Sequence, residues 1–512
     1  MSASDAMPHN PSKMEEAGTA PFSSVDKDFE KGPSTDEGAS TPEELFVVDG
    51  VAEKRLLRQL DLRILPSCMF IYTLNFLARA NIGNAKILNA DSGDSLLQVL
   101  DMTSEQFSTV LTVFFISYAL FETPSNYMLK HFSPPHWFAF LMVGWGGTDM
   151  IISSVKSYSA LTGLRFLLGA FEAGFYPGII YFLTFWYRPQ ERALRLSFIA
   201  ACTSLSGAFG GSIAYGVGLI NGSKGLEAWR WLFIIEGAPS CALAVAVYFF
   251  FPAYPETATW LSAKERELAV KRLRGEASLG HAKITWTQTK ATLMDWRLYL
   301  HYLAFITVCV PFSSISYFAP TIVNGLGYEG LRAQLFTVPP FAIAFVATVT
   351  CSVFADRYEA WSTFAWIPMV VAGVTFLIQG ALPPRAFKAR YAMLCLSTTF
   401  SNICNPSLIT WLTVNLRNTD ATTLAIPLMV TIGTVGQITG ELRSRVSISL
   451  SNSLIMFIGV YIYKANEAPG YRTGHFTNGA FLLAGSLVIL VLRELYRRRN
   501  RNMTPGSQQW RV

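Results

Sequence analysis

The stretch Arg165-Phe-Leu-Leu-Gly169-Ala-Phe-Glu172-Ala-Gly174-Phe-Tyr176-Pro177-Gly178 lies inside a long apolar run and sets a guanidinium and a carboxylate where hydrocarbon excludes both. An ionisable group at membrane depth costs on the order of a few kcal/mol and persists where it faces a water-filled cavity or another charge. At helical spacing Arg165, Gly169, Glu172 and Tyr176 fall at i, i+4, i+7 and i+11 on one face. Ala170, Gly174 and Gly178 form a small-xxx-small ridge well round from it, suited to close helix packing. The stretch therefore reads as a membrane helix with a charged face and a packing face. Pro177 removes one backbone hydrogen bond and predicts a kink, as a hinge or as static shape.

The composition around it agrees. Of 512 residues 51% are hydrophobic and 15% charged, with 37 phenylalanines, which is too apolar for a soluble protein of ordinary composition. Apolar runs long enough to span hydrocarbon recur at about 63–80, 106–129, 136–155, 159–187, 196–220 and 230–252, then at about 298–323, 335–355, 363–382, 390–412, 420–440 and 477–496. The fold expected is all-α and polytopic: an acidic, disordered tail over 1–60, a six-helix bundle over 61–252, a polar linker over 253–296, a second six-helix bundle over 297–496, and a basic tail over 497–512. The first 50 residues lack the apolar core of a signal peptide, so the first span is expected to direct insertion. The seven cysteines lie in or beside apolar runs without metal-ligand spacing and read as core thiols.

Lysine and arginine collect on the cytoplasmic side of short loops. Lys54, Arg55, Arg58 and Arg63 precede the first span, Arg188, Arg192 and Arg195 follow the fourth, and Arg497, Arg498, Arg499 and Arg501 follow the twelfth. An even number of spans puts all three groups, and both termini, in the cytoplasm. Arg385, Lys388 and Arg390 dissent, because that count places them outside. The net charge of +6 is thus membrane-orienting, which excludes nucleic acid as a partner. No Walker loop, zinc-protease motif or nucleophile elbow occurs, so the chain is expected not to be an enzyme or to carry a cofactor or metal. Asn221-Gly-Ser, on an outer loop close to the membrane, is a glycan acceptor or a chance tripeptide.

On the first span Tyr72, Asn75 and Arg79 lie within about 60° of one another, so a cation and two hydrogen-bonding groups share a wall. A planar guanidinium that keeps its proton suits a carboxylate. Arg79 reads as part of an anion site, with Arg165 facing the same cavity, or as a group snorkelling to the interface; Arg165 reads alternatively as an ion-pair partner of Glu172. Glu172 is the leading proton-coupling candidate, since an arriving anion changes the field at its carboxyl. Glu236 and His301 are the alternatives. Glu122 and Asn126 at the inner end of the second span, Arg188, Glu191 and Arg192 after the fourth, and Asp356-Arg357 after the eighth read as gating ion pairs or as solvated topogenic charges.

Several segments resemble, in order, the fungal allantoate permease group of the anion:cation symporter family, within the major facilitator superfamily. They are Arg63-Ile-Leu-Pro66, Tyr72 to Lys86, Phe121-Glu122-Thr-Pro124-Ser125-Asn126, Arg165 to Gly178, Trp186 to Arg192, Trp229 to Gly237, and Pro339-Pro340. The resemblance implies two six-helix bundles, alternating access to a central site, and usually proton-driven transport of small organic carboxylates, with arginines at the positions of Arg79 and Arg165. The chain departs from it at Ala78, where many relatives carry aspartate.

It departs again at Glu441 to Gly459, nineteen residues that would make the span count odd if they helped form another span. Gly440-Glu441 can be encoded GGT-GAG and Ile458-Gly459 ATA-GGN, which permits a GT donor and an AG acceptor. We read this stretch as a translated intron, against an outer-loop insertion; a mature transcript retaining those codons would sink the reading. The function expected is secondary transport of a small organic anion, imported with protons at the plasma membrane by a monomer embedded in the lipid bilayer. The rivals are an exporter of a fungal secondary metabolite and a sensor built on a transporter body.

Overall fold

A computed structural model describes residues 50–273, 290, 292–328, 330–416, 425–426, 428–434, 463, 465–503 and 510–511. In the first half α1 (Gly50–Ala85), α2 (Ser104–His131) and α3 (Pro134–Ile152) precede a broken helix, α4 (Tyr158–Glu172) and α5 (Phe175–Leu183). Then come α6 (Pro189–Gly218), α7 (Ala228–Phe250) and a short linker helix, α8 (Ala263–Leu273). The second half holds α9 (Trp296–Gly325), α10 (Leu331–Phe336) running on into α11 (Val338–Arg357), α12 (Trp361–Ala381), α13 (Phe387–Asn415) and α14 (Arg472–Arg501). Residues 428–434 are also helical. Among the described residues nine helices are long and apolar enough to cross a membrane. Beside them pack α3, 19 residues long, and α13, whose 29 residues include Thr398, Ser401, Asn402 and Asn405.

α3 packs on α7, α2 on α4, and α1 on both α6 and α7; in the second half α12 packs on α13 and α14, and α9 on α14. The halves meet along α6, which lies against α11 and α13, and where α1 meets α9. Glycines permit the closest approaches. A Cβ on Gly83 would sit 2.5 Å from the Tyr317 carbonyl oxygen, one on Gly146 would sit 2.8 Å from the Gly237 carbonyl, and one on Gly237 2.6 Å from that of Gly146. The ridge expected on the fourth span behaves alike: a side chain at Gly174 would overlap Ser125 of α2, and Gly178 rests against Phe138 of α3. The break between α4 and α5 falls at Ala173–Gly174, one turn before Pro177, whose missing N–H leaves the Ala173 carbonyl without its helical donor.

Three boundaries differ from expectation. α1 begins at Gly50, inside the expected tail, because Leu56, Leu60 and Ile64 recur one turn apart and are fully buried. α8 lies within the linker, and α14 runs to Arg501. Most of the tail, the linker from 274 to 289 and the nineteen-residue stretch from Glu441 lie outside the described residues.

Of the three dissenting residues Arg385 and Lys388 are exposed, and Arg390 has a physical explanation. Arg390 is fully buried, its Nη1 donating to the Pro469 carbonyl at 2.9 Å and its Nη2 to that of Gly470 at 2.7 Å. It is spent on tying down a loop, so it carries little weight as a topogenic charge. At the opposite end of the bundle Trp510 and Arg511 occupy a socket. The Trp510 ring stacks on Tyr496 at 5.2 Å with the Arg297 guanidinium 4.3 Å from its centroid. The Arg511 carbonyl accepts from Trp411 Nε1 at 3.0 Å and Asn415 Nδ2 at 3.1 Å, and its side chain pairs with Glu359.

Candidate functional site

A cavity of about 60 Å³, space for a few water molecules, lies between the halves. Tyr72, Arg79, Tyr118 and Tyr176 line it from the first half, and Phe305, Phe312 and Asn405 from the second. Contacts between the halves close the seam on both sides of it. Toward the end bearing Gly50 and Arg501, Ser197 of α6 meets Thr410 of α13 at 3.0 Å and Thr431 donates to Glu122 at 2.9 Å. Toward the other end Gln334 Nε2 donates to the Asn84 carbonyl at 3.1 Å, close to the Gly83–Tyr317 approach.

Arg79 is the cation at this cavity. Its Nε donates to Glu172 Oε2 at 3.0 Å, and its guanidinium lies 4.5 Å from the Tyr118 ring centroid and 5.4 Å from that of Phe114. The arginine side chain is 13% exposed and the carboxylate 0%, so the guanidinium fronts the cavity with Glu172 behind it. Glu172 Oε1 has no hydrogen-bond partner. A substrate carboxylate reaching Arg79 would compete with Glu172 for the same cation.

Tyr72 stacks on Tyr176 at 5.1 Å in the cavity wall, so the helical faces expected of the first and fourth spans meet there. Asn75 is buried, its amide nitrogen without a partner, and does not line the cavity. Arg165 lies behind Arg79: it is 1% exposed, with Nη2 on Asn81 Oδ1 at 3.1 Å and Nη1 on the Arg79 carbonyl at 3.4 Å. Arg165 does not line the cavity, and Glu172, within electrostatic reach of it, hydrogen-bonds Arg79 instead. Glu236 is buried beside Asn81, Asp149 and Arg165, away from the cavity wall. His301 lies in the aromatic cluster around the socket, 3.1 Å from the Tyr496 hydroxyl and against the Trp411 ring.

The expected gating residues divide. Glu122 meets Thr431 of the second half. Asn126 Nδ2 is buried without a partner, and Arg192 is buried. Arg188 pairs with Glu53 at 2.7 Å and Glu191 with Arg272 at 2.7 Å, which fastens α8 to the first half. Asp356 faces Arg195, which also grips Asp61 with two 2.6 Å bonds, and Arg357 is exposed. Asn221 ties two loops, its Nδ2 on Asp94 at 2.7 Å and its Oδ1 accepting from the Ala228 N–H.

Sequence reading missed Asp149 and Asn405. Asp149 is an ionisable group inside an apolar run, the signal that marked Glu172; it is fully buried and held by Asn81 Nδ2 at 3.2 Å. Asn405 shares α13 with several other polar residues, and only the fold shows which of them reaches the cavity.

Apolar helices in two bundles, with a charged pair at their seam, define a membrane transporter. Residues 68–441 match the Major Facilitator Superfamily, and the chain belongs to that family. The match ends where the nineteen-residue stretch begins. The chain is 43% identical over 505 residues to the MFS transporter prlL of Fungal sp. (strain NRRL 50135), covering 98% of this chain and 97% of that one. It is 32% identical to the MFS-type transporter cnsO of Penicillium expansum, covering 95% and 94%. A protein of Agrobacterium vitis named "Putative tartrate transporter" is 30% identical, covering 88% and 94%. The fold is similar to that of a bacterial homologue of the human lysosomal transporter Spinster in an inward-facing, occupied conformation, with a TM-score of 0.60 and 14% identity over 86% of this chain and 98% of that one.

Proposed function

We propose that this chain is a proton-coupled carrier of a small organic carboxylate, of the anion:cation symporter kind, working by alternating access as a monomer in the plasma membrane with both termini cytoplasmic. The observation that carries the reading is the Arg79–Glu172 pair at the wall of a cavity between two bundles. Arg79 has donors beyond the Nε that Glu172 engages, and a planar fork that matches a carboxylate. When substrate takes Arg79, Glu172 loses its cation inside a water-poor interior and gains affinity for a proton. Anion and proton then load together, which is the thermodynamic content of symport. The relative named for tartrate transport supports a small organic acid as cargo.

The small cavity volume supports a cycle with a closed intermediate, in which the contacts at one end part while those at the other hold. The test is uptake of labelled small carboxylates, tartrate among them, by cells expressing the chain, with and without a protonophore. Accumulation that the protonophore abolishes is the expected result. Uptake indifferent to the protonophore would overturn the coupling, and lowered internal accumulation would instead identify an exporter.

A further inference from the structure

Behind the Arg79–Glu172 pair the first half buries a second set of charges. Asp149 on α3 is fully buried, and Arg165 on α4 and Glu236 on α7 are each 1% exposed. Asn81 stands between two of them, its Nδ2 within 3.4 and 3.2 Å of the two Asp149 oxygens and its Oδ1 accepting from Arg165 at 3.1 Å. Glu236 is also within reach of the Asn81 side chain, but neither of its oxygens makes a hydrogen bond of ordinary length and angle. The Gly146–Gly237 approach brings α3 and α7 together beside both acids, Glu236 preceding Gly237 and Asp149 lying one turn beyond Gly146. Arg165 lies 5.6 Å from the centroid of Phe233, one turn before Glu236. The other titratable groups facing the cluster are Glu172, Tyr317 and Cys241.

The charges do not balance. Two carboxyls, Asp149 and Glu236, face one guanidinium, Arg165, and arginine keeps its proton; Glu122, also buried in this half, accepts from Thr431 across the seam. A net buried charge is expensive, and one proton removes it. Glu172 already has Arg79 at 3.0 Å. We propose that Asp149 and Glu236 share one proton and together form the single counter-charge of Arg165, a carboxyl pair that holds Arg165, and through it the Arg79 backbone, in place. This assignment is independent of the cargo and of symport, because it concerns the resting charge of the protein.

Amide substitutions test it, since an amide mimics a protonated carboxyl. Asp149→Asn and Glu236→Gln are each expected to leave the melting midpoint of the purified protein within about 3 °C of the parent, because either supplies the neutral member of the pair. The double variant leaves Arg165 without a counter-charge and is expected to lose roughly 10 °C or fail to yield folded protein. Adding Arg165→Met to the double variant removes the uncompensated cation and is expected to restore the lost stability. A double variant as stable as the singles would overturn the proposal, as would a severe loss from either single or no rescue by Arg165→Met. None of these readings uses transport, so they stand apart from the uptake experiment.

Discussion

Replacing Arg79 with alanine is expected to lower saturable uptake at least about 100-fold at low substrate concentration, a loss corresponding to roughly 3 kcal/mol of binding. Arg79 is the cation lining the cavity, and nothing behind it can substitute, because Arg165 is occupied by Asn81 and the Arg79 carbonyl. The variant also strips Glu172 of the group that neutralises it inside the bundle, so lost transport by itself would not separate binding from folding. Adding Glu172→Gln to Arg79→Ala resolves this: it removes the orphaned charge and should recover folded protein at the membrane while uptake stays absent. Arg79→Lys should retain part of the stability and little of the uptake, since an ammonium cannot offer a planar fork. Normal uptake by Arg79→Ala at normal expression would place the anion site elsewhere.

The second large effect is expected at Glu172. Glu172→Gln keeps an oxygen able to accept from Arg79 Nε but removes the group proposed to carry the proton. Downhill exchange of labelled for unlabelled substrate should persist, while concentrative uptake falls to a ratio near one. In a carrier moving one proton with each monoanion, a pH difference of one unit supports about a tenfold ratio, so the loss is easily read. The measurement is the accumulation ratio across an imposed pH gradient in reconstituted vesicles. A variant that still concentrates substrate along the proton gradient would transfer coupling to another group, such as Glu236.

The parts legible from the sequence were those with a local signature. The charged stretch from Arg165 identified a membrane helix with two working faces; its small-residue ridge packs on α2 and α3, and the break falls beside Pro177. The partners of its charges were not legible. Arg165 and Glu172 share a face, yet seven residues of helix separate them by about 10 Å along the axis, and Glu172 reaches Arg79, 93 residues away in the chain. Helical periodicity names a face and cannot name what faces it. The same limit explains Asn75, which shares a side of α1 with Arg79 but packs out of the cavity. Arg390 shows the converse: a basic residue that weighs against the expected topology when charges are counted is engaged by two carbonyls once the chain is folded. At Ala78 the missing acid is matched by a carboxylate from α4, so the helix 1 arginine is paired after all.

The socket around Trp510 and Arg511 bears on how the protein is handled at the bench. A fluorescent reporter or affinity handle fused directly behind Arg511 sets a bulky domain against the ends of α9, α13 and α14 that carry Arg297, Asn415 and Tyr496, where this dipeptide is stacked and hydrogen-bonded. A label there is part of the experiment it is meant to observe. Joined ahead of Gly50 instead, the same label leaves those contacts untouched, and any difference in transport between the two fusions measures what the socket contributes.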